Sequence, residues 1–469
     1  MPSTTHPRHV SYHRLGERRG RKRIYLETSA LCAAGFEPGD RFSISINERH
    51  STITIRVDPH GPRLVTKRQR PTSLIPVLDI SSDAVDGVAR TWERARVDYG
   101  SGCIVVRVHR DHIAESTRES RLRSRVQARQ PLDIVSLCTG IGALDHAIVN
   151  GLGAEGIKSA VTFAIEKEER TLAAAMANNE TFSAMATTVC GRLEDLEPQL
   201  LPRADILIAG LPCTGASLAG RAARHGESPE EHEDAGILFV HFLDAIARVN
   251  PAVVILENVV AYRNTAGMLA IRAVLGMRGY HLRETVVDGP SFGNIEARRR
   301  LVMVATSYGL GFEFSPPPML LRELRVSEVL EDIPDDSDRW KHLAHLDAKD
   351  AKAAARGTNF RIAIVDPSAE TVPTIGAGYS RSRGCEPLIA HPTRTGFRRL
   401  LTPGEHAHVK GIPEHLVSGL TEPQQHTALG NAVTYNAFVH LGRTLARALQ
   451  HFEQNEYDAG LQPTLFAAC

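Results

Sequence analysis

The stretch Leu132-Asp-Ile-Val-Ser-Leu-Cys-Thr-Gly-Ile-Gly-Ala143 joins an apolar, β-branched run to a turn that contains two glycines. The run predicts a buried strand, and residues 144–149 predict the helix that follows the turn. Glycines at a strand-to-helix turn let the backbone approach a bound ligand closely, although the same residues also make a simple tight connection. The stretch therefore predicts a strand, a turn and a helix of an α/β fold.

A second apolar run, Val161-Thr-Phe-Ala-Ile165, predicts the next strand and ends at Glu166. An acidic side chain roughly 20 residues after such a glycine turn commonly holds the ribose hydroxyls of a nucleotide-like cofactor. The two features together predict a cofactor site at the ends of these strands.

Two further apolar runs end in side chains that can do chemistry. Residues 205–211 lead to Pro212 and Cys213, and residues 253–256 lead to Glu257. Continuous apolar runs suit strands covered on both faces of a mainly parallel sheet, where ligands bind beyond the carboxyl ends of the strands. A thiol and a carboxylate at these ends make a candidate nucleophile and proton partner. The alternative for a lone cysteine after an apolar strand is an inert buried thiol.

Three consecutive arginines occupy residues 298–300, and such a run would ordinarily form a solvated surface. Here the apolar run 301–305 follows at once and predicts a strand. We therefore expect at least one of the three arginines to point into the protein.

These pieces occur in one order along the chain. The order is Gly140-Ile-Gly142, Glu166, Pro212-Cys213, Glu257-Asn258-Val259, Glu296 to Arg300, and Gly430-Asn431-Ala432-Val433. It resembles the motif series of DNA cytosine-5 methyltransferases over roughly residues 130–450. The resemblance implies a Rossmann-like, doubly wound α/β catalytic domain with a small inserted target-recognition lobe. It also implies methyl transfer from S-adenosylmethionine to carbon 5 of cytosine in double-stranded DNA.

The resemblance implies a role for each catalytic residue. The Cys213 thiolate attacks carbon 6, because carbon 5 of cytosine is a poor nucleophile until an adduct pushes electron density onto it. Glu257, with its pKa raised by burial, shares a proton with ring nitrogen 3. Arg300 contacts the cytosine carbonyl oxygen with support from Arg298, and Asn258 orders the loop at the substrate. The target base must also swing out of the duplex, because its carbon 5 is inaccessible in the stack.

The resemblance further implies which residues hold S-adenosylmethionine. They are Cys138, Gly140, Gly142, Glu166, Pro212 and Asn431. Two departures from the family pattern fall in this site: Cys138 stands where an aromatic ring often stacks on adenine, and Arg192 where an aspartate often reads the adenine amino group. Two others, Thr214 and Glu296, stand where the family commonly has glutamine. These departures bear on the cofactor contacts and on the loop over the flipped base.

The target-recognition lobe is expected within residues 309–395. The segment Glu370-Thr-Val-Pro-Thr-Ile375 and the loop of glycines and arginines after it resemble part of such lobes. We expect Thr374, Arg381 and Arg383 to contact DNA, because arginine can bind guanine edges in a bidentate way. A solvated loop is the alternative.

The other boundaries follow from composition and from the motif positions. We expect a basic, β-rich domain at residues 1–115 and a charged linker at 116–130. The catalytic domain is expected at 131–308 and 396–454, followed by a loose tail at 455–469.

Charge is distributed unevenly along the chain. Residues 1–130 carry 24 Lys/Arg against 14 Asp/Glu, an excess of ten positive charges, although the whole chain has a net charge of +1. Basic clusters lie at residues 18–23, 67–70 and 118–129. Such clusters attract DNA phosphates without sequence preference, and solubilising segments are the alternative.

Short strands with largely alternating polarity are predicted between these clusters, at residues 23–26, 41–46 and 52–57. The turn within residues 33–40 and the strand after it faintly resemble AbrB/SymE-type swapped-hairpin domains, whose members bind nucleic acid, often as dimers. The basic domain is therefore expected to bind nucleic acid or to dimerise.

The composition sets the frame for these predictions. A chain of 469 residues with 42% hydrophobic content can bury a large core and is expected to form two or three domains. Because it lacks both a long apolar run and a signal-peptide pattern, we expect a soluble, cytoplasmic protein. Seven cysteines without close pairing argue against a disulfide framework and a zinc cluster, so no metal is expected.

Three functional hypotheses remain open. The leading one is a DNA methyltransferase of the restriction-modification or orphan type, with a cognate restriction endonuclease as a possible partner. A second reading is a tRNA cytosine-5 methyltransferase, although that branch usually carries a Cys-Phe-Thr segment absent here. A third is a catalytically inactive DNA-binding regulator in which the basic domain binds DNA.

Overall fold

A computed structural model describes residues 9–48, 50–71, 73–212, 237–314, 325–357, 362–381 and 386–454. The chain divides into two compact units. The first reaches Thr117, and the second begins at Arg118. Within the described ranges, no helix combines the length and the apolar content needed to cross a lipid bilayer.

The first unit contains two antiparallel sheets. Its strands are β1 (His9–Arg14), β2 (Gly16–Arg18), β3 (Arg21–Glu27), β4 (Arg41–Asn47), β5 (Thr52–Val57), β6 (Arg63–Leu64), β7 (Thr66–Gln69), β8 (Leu74–Ile80), β9 (Arg94–Gly100) and β10 (Cys103–Val108), with helices α1 (Ala30–Ala33) and α2 (Asp83–Ala89). One sheet has the order β1-β9-β10-β5-β4-β6, and the other has the order β2-β3-β8-β7. The strands predicted at residues 23–26, 41–46 and 52–57 are confirmed as β3, β4 and β5.

Alternation of side chains builds the core of this unit. In β5, Ile53 and Ile55 are buried on one face, because successive residues of a strand point to opposite sides. They pack in one cluster with Phe42, Leu26 and Trp92. The first unit therefore has a hydrophobic core of its own.

The second unit is built on a large mixed sheet. Its strands are β11 (Leu132–Leu137), β12 (Ser159–Glu166), β13 (Phe182–Cys190), β14 (Ile206–Gly210), β15 (Val253–Asn258), β16 (Tyr280–Asp288), the short β17 (Glu296–Ala297) and β18 (Arg299–Ser307). The sheet order is β13-β12-β11-β14-β15-β18-β16, and β17 lies outside it. Strands β11 to β15 pair in parallel, whereas β18 is antiparallel to both β15 and β16. The predicted doubly wound α/β fold is confirmed.

Helices accompany this sheet along the chain. They are α3 (Arg110–Gln127), α4 (Ala143–Ala154), α5 (Glu169–Asn178), α6 (Leu238–Val249), α7 (Ala266–Met277), α8 (Ala344–Ala355), α9 (Pro403–Lys410), α10 (Glu422–Asn431) and α11 (Tyr435–Gln454). The sheet separates two cores, so neighbouring residues of β11 enter different ones: Ile134 packs in one cluster and Val135 in the other. All six residues of β15 are buried. The continuous apolar runs in the sequence reflect this covering of both faces.

A smaller lobe of the second unit carries short strands. They are β19 (Lys341–His342), β20 (Ile364–Val365), β21 (Val372–Pro373), β22 (Leu388–Ala390) and β23 (Phe397–Arg399). Four of them form a sheet in the order β19-β23-β22-β20, while β21 pairs in parallel with β17. Trp340, Ile375 and Tyr379 belong to a hydrophobic cluster of this lobe. The β17–β21 pair therefore joins the lobe to the segment that precedes the arginine run.

The arginines of α3 do not form the phosphate-binding surface that their density predicted. Arg118 donates to Ser307 Oγ at 2.9 Å and to the Gly279 carbonyl at 2.6 Å. Arg121 Nε lies 3.0 Å from Asp205 Oδ1 and donates a hydrogen bond to it. Arg123 and Arg125 donate to backbone carbonyls at 2.9 and 2.7 Å, respectively. The prediction was wrong for these four side chains, because acceptors of the second unit engage them.

Helices α4 and α11 approach each other closely at two glycines. A Cβ atom added to Gly151 of α4 would lie 2.2 Å from the Val439 carbonyl oxygen and 2.8 Å from Gly442 Cα. A Cβ atom added to Gly153, two residues further along α4, would meet no described atom within 4 Å. The two positions are therefore a matched pair for testing this crossing.

We predict that Gly151→Ala destabilises the second unit by about 1–3 kcal/mol, because the new methyl group forces backbone atoms apart. Gly153→Ala should be neutral or stabilising by up to about 1 kcal/mol, because alanine favours a helix over glycine. Urea unfolding followed by circular dichroism measures both changes. Equal effects of the two substitutions would contradict the close crossing.

Candidate active site

The carboxyl ends of four parallel strands meet at one edge of the large sheet. Strands β12, β11, β14 and β15 are neighbours in this order. Residues 138–142 follow β11, Glu166 ends β12, Pro212 lies just beyond β14, and Glu257 lies at the end of β15. Doubly wound sheets bind their ligands at this edge. Cys213, the predicted nucleophile, is the next residue after Pro212 and lies outside the described residues.

The turn after β11 has a left-handed backbone at Cys138, Gly140 and Gly142, whose φ angles are +55°, +58° and +73°. A Cβ atom added to Gly142 would lie 2.3 Å from Asn179 Nδ2, and one added to Gly140 would meet no described atom within 4 Å. Gly142 is therefore required for packing. Gly140 instead borders open space from which a ligand can approach the backbone.

The Glu166 carboxylate holds this turn against the end of β12. The Gly140 amide donates to Glu166 Oε2 at 2.8 Å, and the amides of Lys167 and Glu168 donate to Oε1 at 2.9 and 3.1 Å. An ionised carboxylate offers about four acceptor positions, so it retains capacity for a further donor such as a ribose hydroxyl. The arrangement fits the expected cofactor.

A second acidic side chain, Glu194, belongs to the same region and was missed in the sequence. Burial, together with the negative charges of Glu166 and Glu194, raises the pKa of Cys138 to about 12. Arg192, at the position expected to differ from the family, is half exposed and donates to Glu194 Oε1 at 3.0 Å. In the sequence, Glu194 could have been recognised from the acidic pair Glu194-Asp195 shortly after β13.

Asp145, in the first turn of α4, accepts hydrogen bonds from the end of β11 and from the turn that follows it. It was not predicted from the sequence. Its Oδ2 atom accepts hydrogen bonds from Ser136 Oγ at 2.9 Å and Thr139 Oγ1 at 2.5 Å. Its Oδ1 atom has no hydrogen-bond partner among the described residues. Burial raises the pKa of Asp145 from 3.8 to about 6, although both hydroxyl hydrogen bonds oppose the shift. An aspartate in an otherwise apolar helix start was the signal in the sequence.

Glu257 and Arg300 form the core of the predicted catalytic group. Arg300 Nε lies 3.2 Å from Glu257 Oε1, and the Glu257 side chain is buried. Burial raises the pKa of Glu257, while the positive charges of Arg300, Arg298 and Lys410 oppose this shift without cancelling it. The geometry thus provides a buried carboxyl that takes up a proton more readily than a carboxyl in water.

Arg298 is buried, which confirms the expectation that at least one of the three arginines points inward. Its Nη1 atom donates to the Ile375 carbonyl at 3.4 Å, and its Nη2 atom donates to the Gly430 carbonyl at 3.2 Å. Arg299, between the other two, is exposed. Arg298 therefore ties the start of β18 to the smaller lobe and to the end of α10.

A buried ion pair lies beside this arginine and was not predicted. Lys410 Nζ donates to both carboxylate oxygens of Glu296, at 2.8 and 2.7 Å, and the Ile375 amide donates to Glu296 Oε1 at 2.8 Å. Burial and the positive charge of Arg298 lower the pKa of Lys410 to about 7, although Glu296 opposes the shift. For Glu296, burial would raise the pKa, but Lys410 and Arg298 outweigh it and the pKa is lowered.

The predicted residues at the edges of the site have varied surroundings. Asn258 is buried, and its Nδ2 atom donates to the Leu211 carbonyl at 3.2 Å, which fixes the backbone just before Pro212. Thr374 Oγ1 donates to the Ala297 carbonyl at 2.7 Å, next to Arg298 in the chain. The structure thus brings Thr374 to the strand that leads into the arginine run.

Asn431 is the exposed last residue of α10. A Cβ atom added to its neighbour Gly430 would lie 2.4 Å from the Gly376 backbone, so α10 and the smaller lobe touch there. Arg381 is exposed at the end of a 3-10 turn, Tyr379–Arg381, and its side chain makes no hydrogen bond or ion pair within the described chain. Arg383 lies outside the described residues.

Comparison with known proteins gives a consistent family. The family model for C-5 cytosine-specific DNA methylase matches residues 132–447. The chain is 27% identical over 271 residues to the type II methyltransferase M.MspI of Moraxella sp, a match that covers 56% of this chain and 61% of that protein. It is 24% identical over 347 residues to M.HpaII of Haemophilus parainfluenzae, covering 70% of this chain and 92% of the relative. The match therefore spans about three-fifths of M.MspI and nearly all of M.HpaII.

Solved structures share the fold at lower identity. The crystal structure of the S. pombe Dnmt2 methyltransferase has a TM-score of 0.55 and 18% identity, and the likeness covers 68% of this chain and 99% of that one. The Entamoeba histolytica methyltransferase EhMeth has a TM-score of 0.53 and 15% identity, covering 67% and 98%. At these identities the likeness concerns the fold alone.

We predict that Asp145→Asn changes how stability depends on pH. Because folding raises the pKa of Asp145 from 3.8 to about 6, its stabilising contribution is complete below pH 4 and is lost as the pH rises through 6. The variant does not lose this contribution. Between pH 4 and 7 its free energy of unfolding should therefore rise relative to that of the wild type by on the order of 2–3 kcal/mol. Urea midpoints across this range measure the difference.

The control is Asp244→Asn, which removes one negative charge from an exposed position of α6. If the difference between the urea midpoints of the wild type and Asp145→Asn stays constant from pH 4 to 7, the pKa of Asp145 is not raised.

Proposed function

Because the chain belongs to the C-5 cytosine-specific DNA methylase family, we propose that it transfers the methyl group of S-adenosylmethionine to carbon 5 of cytosine in double-stranded DNA. The observation that carries this proposal is the buried Glu257–Arg300 pair at the carboxyl edge of β15. A carboxyl with a raised pKa and a guanidinium at hydrogen-bond distance are suited to hold a cytosine by ring nitrogen 3 and the neighbouring carbonyl oxygen.

The cofactor would lie against the turn after β11. S-adenosylmethionine supplies an electrophilic methyl group on its sulfonium sulfur. We propose that Cys138, Gly140, Gly142, Glu166, Pro212 and Asn431 hold it, with Glu194 as an additional acidic neighbour. The open space beside Gly140 and the remaining acceptor capacity of Glu166 support this assignment.

Cys213 is proposed as the nucleophile. It follows a backbone segment that Asn258 fixes through the Leu211 carbonyl. The thiolate would attack carbon 6 of the cytosine, and the resulting adduct makes carbon 5 nucleophilic enough to accept a methyl group. A base or an ordered water molecule must then remove the proton from carbon 5, and the carbon 6–sulfur bond breaks as the ring double bond re-forms and the thiolate leaves.

Glu257 would hold the proton that balances charge on the ring. As the thiolate adds to carbon 6, nitrogen 3 becomes more basic and takes up a proton or shares one with Glu257. Arg300 keeps the carboxyl in place at 3.2 Å and presents its guanidinium to the cytosine carbonyl oxygen. Arg298 acts as a positioning residue, because its Nη1 and Nη2 atoms donate to the carbonyls of Ile375 and Gly430.

The target cytosine must leave the stack to reach this buried group, at an unstacking cost of a few kcal/mol. Contacts to the DNA have to offset that cost. We propose Asn258, Thr374, Arg381 and Arg383 for the contacts near the base. Non-specific attraction would come from the basic first unit, although Arg68 and Arg70 are partly neutralised there by ion pairs with Glu27.

The biological setting proposed is a restriction-modification system or an orphan methyltransferase. The curated relatives above are named type II methyltransferases. A cognate restriction endonuclease and dimerisation of the first unit belong to this proposal.

We predict that Cys213→Ser abolishes methylation and that Cys103→Ser, a free cysteine of the first unit, leaves it intact. Bisulfite sequencing of DNA from cells that express each variant reads out activity and target sequence together. Purified wild-type protein should also form a covalent adduct with duplexes that contain 5-fluorocytosine. The proposal fails if Cys213→Ser methylates DNA or if the adduct maps to another residue.

We predict that Glu257→Gln lowers kcat by about 10²–10⁴-fold, because glutamine cannot share a proton with nitrogen 3. The affinity for S-adenosylmethionine, measured by calorimetry, should stay within a factor of about three, because Glu257 ends a different strand from the cofactor turn. A variant with nearly wild-type kcat in a tritiated methyl-transfer assay would remove Glu257 from the mechanism.

A further inference from the structure

Three side chains from distant parts of the chain converge outside the catalytic group. His146 lies in α4, Glu180 follows α5, and His415 lies in the 3-10 helix Glu414–Val417. His146 Nε2 is 3.0 Å from Glu180 Oε1, and His415 Nε2 is 3.3 Å from Glu180 Oε2. One ligand atom from each residue can be chosen so that all three lie within 4.8 Å of one another.

We propose that His146, Glu180 and His415 bind a divalent transition-metal ion, with Zn²⁺ as the best fit. Imidazole nitrogen and carboxylate oxygen are donors that Zn²⁺ accepts readily. Bonds of about 2.0–2.2 Å at tetrahedral angles separate neighbouring donors by roughly 3.3–3.5 Å. The two imidazoles lie 3.0 and 3.3 Å from different oxygens of Glu180, and the three ligand atoms lie within 4.8 Å of one another, so the Glu180 and His415 side chains would have to turn to close around an ion.

The burial of the three residues suits a site that is open on one side. The His146 side chain is 3% exposed, whereas Glu180 is 64% exposed and His415 is 51% exposed. An ion can therefore enter from solvent and keep a water molecule as its fourth ligand. The buried histidine anchors the site, and the two exposed ligands close around the ion.

The far side of His146 is held as in metal sites, where the second ring nitrogen is bonded to a partner that fixes the tautomer. His146 Nδ1 is 2.6 Å from Tyr435 Oη and 3.0 Å from Asn150 Nδ2, and Asn150 Nδ2 also lies 3.2 Å from Tyr435 Oη. When Nδ1–H donates to Tyr435 Oη, Nε2 carries a lone pair directed at the ion. Tyr435 and Asn150 thus act as positioning residues for this ligand.

The site would brace the turn after β11. Glu180 is adjacent to Asn179, whose Nδ2 atom donates to the Gly142 carbonyl at 3.0 Å, and His146 lies one helical turn beyond Gly142. A bound ion would therefore link α4, the segment after α5 and the 3-10 helix at His415. The proposal is independent of the catalytic assignment.

The test is zinc binding by tag-free, chelator-treated protein, measured by competition with a chromophoric chelator. Wild-type protein should bind one equivalent. Glu180→Gln and His415→Gln should each weaken binding at least ten-fold; because both side chains are exposed, the variants should fold, which circular dichroism checks. His408→Gln removes an exposed histidine of α9 and should bind like the wild type.

Cobalt substitution adds a spectroscopic readout. Wild-type and His408→Gln protein should give the visible bands of four-coordinate Co²⁺, and the other two variants should not. Glutamine at position 415 can still donate a hydrogen bond to Glu180, so a mere hydrogen-bond network would tolerate it. The proposal is overturned if the wild type shows no saturable binding, or if all four proteins bind Zn²⁺ alike.

Discussion

The buried ion pair between Lys410 and Glu296 is the interaction on which the substrate side of the site depends. Glu296 also accepts the Ile375 amide, and Arg298, two residues further on, donates to the carbonyls of Ile375 and Gly430. Segments of the smaller lobe, α9 and α10 are thereby fixed to the start of β18. Removing one partner of such a pair typically costs 3–5 kcal/mol, although the intact pair contributes little net stability. Its importance is in placing Arg300 beside Glu257.

Charge balance explains the state of Glu257. Three basic side chains, Arg298, Arg300 and Lys410, lie near the buried carboxylates of Glu257 and Glu296. Glu296 is held in its charged form by its close partner Lys410. Among the described residues, Glu257 forms an ion pair with Arg300 at 3.2 Å, and burial outweighs the positive charges around it, so its pKa stays raised. One cluster thus contains one carboxyl with a lowered pKa and another with a raised pKa.

The sequence predicted those parts that depend on local pattern. The strand at residues 132–137 was predicted with the observed bounds. Glu166 was predicted to hold ribose hydroxyls, which stays a prediction; the structure shows its carboxylate accepting a hydrogen bond from the Gly140 amide at the end of β12. The burial of Lys410 could not be predicted, because its partner Glu296 lies 114 residues away in the chain. An isolated lysine in a sequence ordinarily predicts a surface residue. The arginines of α3 were predicted to attract DNA phosphates, although positions 118, 121 and 125 share one helix face. That spacing is a sign of burial when acceptors such as Asp205 are available.

The two halves of the site differ in how they are assembled. On the cofactor side, Asp145 reaches Ser136 and Thr139 at separations of nine and six residues, and Glu166 reaches Gly140 across 26. On the substrate side, the bonds of Glu296 and Arg298 span 79, 114 and 132 residues. Contacts between distant residues form only after the intervening chain has been ordered, and they depend on the packing of several elements at once. Loss of packing in the smaller lobe should therefore disturb the Glu257–Arg300 geometry while the glycine turn of β11 persists, so the two halves of the site can change independently.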